Sequence, residues 1–195
     1  GVEGIMFMGG AIGLGGVFYY EKAAGAGASG FLAVGIGILC AFLAGALASL
    51  IFSFLTITLR ANQNVTGLAL SIFGTGVGQF LGEYMRVREN GYISIGNQLK
   101  GFFQNAPFPA FLQKIPVVGG VLFGNSVFFY LGLILAAGMF FFLNRTRTGL
   151  YLRSVGESPA TADAAGISVE RYKYLATVIG GGISAVGGMV YIMTI

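Results

Sequence analysis

Residues 31–59 read FLAVGIGILCAFLAGALASLIFSFLTITL, and not one of them carries a charge. A helix of about 20 apolar residues crosses the ~30 Å hydrocarbon core of a bilayer. A run of this length is more than sufficient, so the helix must tilt or let its ends project. Working outward, residues 4–20, 124–143 and 174–195 are also uncharged and close to spanning length. A fifth uncharged stretch, residues 61–82, is less apolar and carries Asn62, Gln63, Asn64, Thr66, Ser71, Thr75 and Gln79. The pattern predicts an all-α polytopic transmembrane bundle, with about five spanning or partly spanning helices.

Composition agrees. Of 195 residues, 55% are hydrophobic and 9% charged, against roughly a quarter charged in a soluble domain. So few charges cannot cover an aqueous surface, and the solvent for much of the chain is lipid. A net charge of +4, spread along the chain, gives no footprint for nucleic acid. With no histidine and a single cysteine (Cys40), neither a zinc or copper site nor an internal disulfide is expected. No P-loop motif and no nucleophile–base pair is present, so the chain calls for no cofactor and reads as no enzyme.

The chain begins at Gly1 without a methionine and ends inside an apolar stretch at Ile195. This reads as one membrane domain over 1–195, cut from a longer protein at both ends. Three connections separate the apolar stretches: residues 21–30, 83–123 and 144–173. The second holds Pro107, Pro109 and Pro116, which break regular structure, and a Phe-rich part, 102–111, expected at the membrane interface. If all five stretches cross, Lys and Arg divide six against five between the two sides, with Arg60 on the side of the third connection. The positive-inside rule decides nothing on that margin.

On a helix at 100° per residue, Asn64, Gly67, Ser71, Gly74, Thr75, Gly78 and Gly82 fall within an arc of about 100°. Most of the remaining circumference is apolar. Such a stripe must turn away from lipid. It is either a helix interface closed by small residues or the lining of a path for an uncharged polar solute. Gly74, Gly78 and Gly82, like Gly9 and Gly13, have the Gly-x-x-x-Gly spacing of close helix packing. Apart from Glu3, no Asp, Glu, Lys or Arg lies inside a spanning stretch, whereas ion-driven transporters generally need ionisable groups at membrane depth. Glu3 either lines a cavity or sits where a preceding segment would partner it. Candidate pathway residues are therefore Glu3, Asn62, Asn64, Thr66, Ser71, Thr75 and Gln79.

Residues 156–166, Gly-Glu-Ser-Pro-Ala-Thr-Ala-Asp-Ala-Ala-Gly, read as a short helix with punctuation at both ends. Ser158 suits the N-cap, Pro159 the first helical position and Gly166 the C′ position. The alanine-rich segment between them is too short to be stable alone and needs a packing partner. Ser168 suits the cap of the last spanning helix, with Glu170 in its first turn, although Arg171 stands where a capping box would have Glu.

Residues 145–167, RTRTGLYLRSVGESPATADAAGI, closely resemble the cytoplasmic loop of the permeases of branched-chain amino acid, ribose and nucleoside ABC importers. Asp163-Ala-Ala-Gly166 resembles the segment that such permeases dock into their ATPase. The opening Gly1-Val-Glu-Gly-Ile-Met6 resembles the family's start to a core helix. Residues 59–70, LRANQNVTGLAL, look more like the nucleoside and simple-sugar branch than the amino-acid branch. The resemblance runs through essentially the whole chain.

What it implies is a multi-pass protein of the bacterial cytoplasmic (inner) membrane, with residues 144–173 cytoplasmic and 83–123 outside. It implies ATPase-coupling residues Gly156, Glu157, Pro159, Asp163, Ala164, Ala165 and Gly166, on a short cytoplasmic coupling helix. It implies as partners an ABC ATPase subunit, a second permease subunit, homologous or identical, an extracellular substrate-binding lipoprotein and membrane lipid, with no nucleic acid. The rival reading is a secondary transporter or channel for a small neutral polar solute.

Overall fold

The structure, a computed structural model, describes residues 1–25, 29–88 and 126–194. Within them the chain is helical. Five helices are long and apolar enough to cross a membrane. These are α1 (Val2–Ala24), α2 (Gly30–Ser53), α3 (Gln63–Arg88), α4 (Val127–Arg145) and, last in the chain, α7 (Val169–Thr194). A single π-helical turn, Phe54–Thr58, prolongs α2. Between α4 and α7 lie α5 (Arg147–Glu157) and the six-residue α6 (Pro159–Ala164). The Phe-rich part and the three prolines of the second connection lie outside the described residues.

The core is built around α1, which packs on α2, α3 and α7. Its seams are made of glycine. Gly9 abuts Ala185, and Gly188 lies under the Met6 carbonyl. Gly13 faces Met189 and Ala41, and Gly45 of α2 lies against Gly181 of α7. A Cβ at any of these positions would collide with its neighbour. The glycines that look like linkers in water are thus the contact surface of membrane helices, where close backbone approach supplies the packing that lipid does not. Val17, Ala41 and Met189, all fully buried, fill the space between α1, α2 and α7.

Register along these seams fixes direction. Gly1 lies beside Gly67, Gly4 beside Gly74 and Gly15 beside Met85, so α1 and α3 run parallel. Gly9 beside Ala185 and Gly13 beside Met189 make α7 parallel to α1 as well, whereas Gly13 beside Ala41 and Val17 beside Gly37 make α2 antiparallel. The starts of α1, α3 and α7 therefore share one end of the bundle with the finish of α2. At that end the hydroxyls of Thr58 and Tyr174 are hydrogen bonded, tying the π turn to the start of α7.

Helix α4 is different. None of its residues is buried among the described ones; it packs on α5 and touches the bundle through Phe128.

A candidate translocation face and its coupling turn

The polar stripe of α3 divides in two. Gly67, Gly74 and Gly78 turn to α1: a Cβ on Gly74 would fall on the Gly4 carbonyl, and one on Gly78 would lie 3.0 Å from that of Phe7. Leu70 and Met85 are buried on the same side. Asn64, Ser71, Thr75 and Gln79 lie a quarter-turn further round, at the edge of this seam. Ser71 and Thr75 are half-buried there, and Asn64 and Gln79 are exposed. The interface expectation applies to Gly67, Gly74 and Gly78, while Gly82 has no neighbour within 4 Å among the described residues, and Asn64, Ser71, Thr75 and Gln79 border an exposed face.

Helical phase shows what else borders that face. Seen from their N-termini, parallel right-handed helices turn clockwise by 100° per residue. On α1 the contacts with α3 centre near Gly4 and those with α7 near Gly13, almost half a turn apart. So α3, α1 and α7 lie side by side, with α2 behind them. The arc of α1 left uncovered in front carries Glu3 and Phe7, both exposed. By the same phase, Asn64, Ser71, Thr75 and Gln79 on α3 face the same way as Glu3. Asn62 and Thr66 do not join them. The Asn62 side chain caps α3, accepting from the backbone N–H of Asn64 at 3.0 Å, and the Thr66 hydroxyl donates to the Asn62 carbonyl at 2.9 Å.

The exposed arcs elsewhere are mainly apolar: Leu39, Leu43, Leu47 and Ile51 on α2, and Val65, Ile72, Phe73 and Phe80 on α3. Those arcs suit lipid. The face carrying Glu3, Asn64, Ser71, Thr75 and Gln79 is mixed, with Leu68, 65% exposed, between Thr75 and Gln79, and its polar side chains suit lipid less well.

At the end of the bundle where α1, α3 and α7 begin, the third connection is largely helical. Sequence reading found only the short helix and missed α5. Its signals were Thr146, whose hydroxyl accepts from the Gly149 N–H at 3.0 Å, and the i, i+4 pair Arg153–Glu157, also 3.0 Å. Gly149 allows the sharp corner between α4 and α5, because a Cβ there would strike the Phe142 carbonyl. The edge-to-face pair Tyr151–Tyr172, 6.1 Å between centroids, holds α5 to α7.

Helix α6 follows with Pro159 at its start, as expected. Ser158 is the N-cap residue by position, but its hydroxyl pairs with that of Thr161 at 2.8 Å and caps no backbone N–H. The finish is a Schellman motif. Ile167 N–H donates to the Ala162 carbonyl at 3.0 Å and Gly166 N–H to the Asp163 carbonyl at 2.9 Å, with Gly166 at φ 80°. Ala162 is buried on the bundle side; Pro159, Asp163, Ala164, Ala165 and Gly166 are exposed. Gly156 and Glu157 close α5 and are exposed too. A cleft of about 1080 Å³ separates this turn from the ends of the spanning helices, with Asp163, Pro159 and Gly156 on one wall and Thr56, Arg60 and Gln63 on the other.

This capped turn, beyond the ends of the spanning helices, lies within a chain that matches over residues 1–195 the family described as branched-chain amino acid transport system / permease component. The chain belongs to that permease family. It is a multi-pass membrane protein. Among its relatives, the "Putative glucose ABC transporter permease protein TsgC13" of Haloferax volcanii is 35% identical, over 96% of this chain and 52% of its own length. The nucleoside ABC transporter permease protein NupC of Lactococcus lactis is 35% identical, over 100% of this chain and 58% of its own. The guanosine ABC transporter permease protein NupQ of Bacillus subtilis is 32% identical over the same shares. The chain spans about half the length of these permeases. No solved structure matches it. The relatives named for nucleosides and glucose agree with the branch that residues 59–70 resemble.

Proposed function

We propose that this permease chain forms part of the membrane subunit of an ABC importer that moves nucleosides or related simple sugars inward across a bacterial cytoplasmic membrane. A separate ATPase hydrolyses ATP. A second permease, homologous or identical, completes the path, and an extracellular lipoprotein delivers the solute. Residues 144–173 face the cytoplasm.

The observation that carries this reading is the exposed, Schellman-closed turn at Pro159–Ala164. A six-residue helix is too short to persist by itself. Here it rests on α5 with Ala164, Ala165 and Gly166 exposed and Asp163 exposed on the wall of the cleft beside it, an accessible knob suited to contact with another protein. Coupling then falls to Gly156, Glu157, Pro159, Asp163, Ala164, Ala165 and Gly166. The solute follows the face bordered by Glu3, Asn64, Ser71, Thr75 and Gln79, whose amides and hydroxyls suit a neutral polar molecule.

The deciding experiment is uptake by the full-length permease reconstituted with its ATPase and binding protein. Uptake should require ATP hydrolysis, and Asp163→Arg should abolish it while leaving membrane insertion intact. Uptake driven by an ion gradient without ATP would establish the secondary-transporter reading instead.

A further inference from the structure

The open face has a third border. On α7, Thr177, Ser184 and Tyr191 recur at seven-residue spacing and so share one side of the helix. They lie about a quarter-turn from the Gly188–Ala185 seam with α1, on the side away from α2. Ser184 and Thr177 are half-buried and Tyr191 is 64% exposed. Between this border and that of α3 lies Phe7 of α1, 54% exposed, in the uncovered arc beside Glu3; Phe18, three turns further along the same arc, is half-buried. With neighbouring axes 8–10 Å apart, α3 and α7 flank Phe7 at a separation of about 16–20 Å.

The chemistry of the borders is asymmetric. Thr75 donates its hydroxyl proton to the Ser71 carbonyl at 2.9 Å, Ser184 to the Gly180 carbonyl at 2.8 Å and Thr177 to the Lys173 carbonyl at 2.8 Å. Each hydroxyl proton is thus directed into its own helix, which leaves the oxygen's two lone pairs as acceptors on that side of the helix. Gln79 adds an amide with both donor and acceptor. Such a surface accepts hydrogen bonds from hydroxyl and N–H groups, while the rings of Phe7 and Tyr191 offer flat apolar area. A nucleoside combines a planar base with ribose hydroxyls; a hexose has the hydroxyls and no aromatic plane.

Building on the proposed permease role, we infer that α7 forms the opposite wall of the solute path, with Phe7 and Tyr191 as the stacking residues that select a nucleoside over a hexose.

The test uses the full-length permease with its ATPase and binding protein, and measures ATP-driven uptake of radiolabelled guanosine and glucose at matched membrane abundance. Tyr191→Leu and Phe7→Leu should each lower kcat/KM for guanosine by about tenfold, the size of one base–aromatic stack. Tyr191→Phe should keep it within about twofold, because the ring is retained. Phe73→Leu and Phe80→Leu, equally exposed on the lipid-facing arc of α3, should change nothing. Unchanged guanosine uptake in both ring-deleted variants overturns the inference, as does an equal loss in the two controls. A wild type that moves glucose with ATP and refuses guanosine overturns this inference and leaves the permease reading standing. Transport without ATP overturns the permease reading itself.

Discussion

Gly4 and Gly74 meet backbone to backbone: a Cβ on Gly74 would occupy the place of the Gly4 carbonyl, and one on Gly4 would lie 2.7 Å from the Ser71 Cα. No side chain stands between the helices to adjust. Gly74→Leu should therefore force α1 and α3 apart and cost about 1–3 kcal/mol, as overpacking does. The measurement is the thermal midpoint of the purified full-length permease in detergent. Gly76→Ala, one turn-face away with nothing within 4 Å of the new methyl, should leave the midpoint level or raise it slightly, since alanine is the better helix former.

At the proposed coupling turn, Gly166→Val should impair the Schellman closure, because a β-branched residue is disfavoured at φ 80° by about 1–2 kcal/mol. Asp163→Arg meets no such steric demand, as Asp163 is exposed. Both variants should reach the membrane at normal abundance and lose ATP-driven uptake. Co-purification of the ATPase with each variant measures whether docking is the lost step.

Two serines in α2, Ser49 and Ser53, are fully buried with no hydrogen-bond partner for their hydroxyls among the described residues. Ser53→Ala should be neutral or stabilising by about 1 kcal/mol, since it removes an unsatisfied polar group. Ser49→Val should destabilise, because the Ser49 hydroxyl already lies where a side chain on Gly181 would go. Thermal midpoints of the two variants check both signs.

Asn62 and Gln79 separate structure from transport. Asn62→Ala removes the cap of α3 and should lower stability by about 1 kcal/mol. Gln79→Leu and Thr75→Val should leave stability unchanged and reduce uptake. The check is uptake per folded molecule, read beside the thermal midpoint.

Much of this architecture could be read from the chain. Uncharged runs place the spanning helices within a few residues of their bounds, and Pro159 and Gly166 bracket the short helix because backbone geometry admits few other residues there. The direction of the α3 stripe was only half legible: a 100° arc holds both glycines that touch α1 and polar residues that do not, and the boundary depends on where α1 approaches. Helix α5 was hidden because Arg147, Arg153 and Glu157 make it look like a charged loop; its apolar positions, Leu150, Leu152 and Val155, are too few to dominate the pattern. The cap that Asn62 places on α3 is not legible from the sequence, because an asparagine at a helix start and one in a polar face have the same letter. The side-by-side order of α3, α1 and α7 is a long-range property, visible only once Gly4, Gly9 and Gly13 have found their neighbours.

Helix α4 has an unusual mechanical position. Among the described residues it buries none of its own against the glycine-seamed block of α1, α2, α3 and α7, yet the Gly149 corner joins it tightly to α5, which leads into the Pro159–Ala164 turn. In the proposed importer, a push on the Pro159–Ala164 turn would therefore reach α4 directly through the Gly149 corner, and would reach the glycine-seamed block through α7 and its Tyr151–Tyr172 contact.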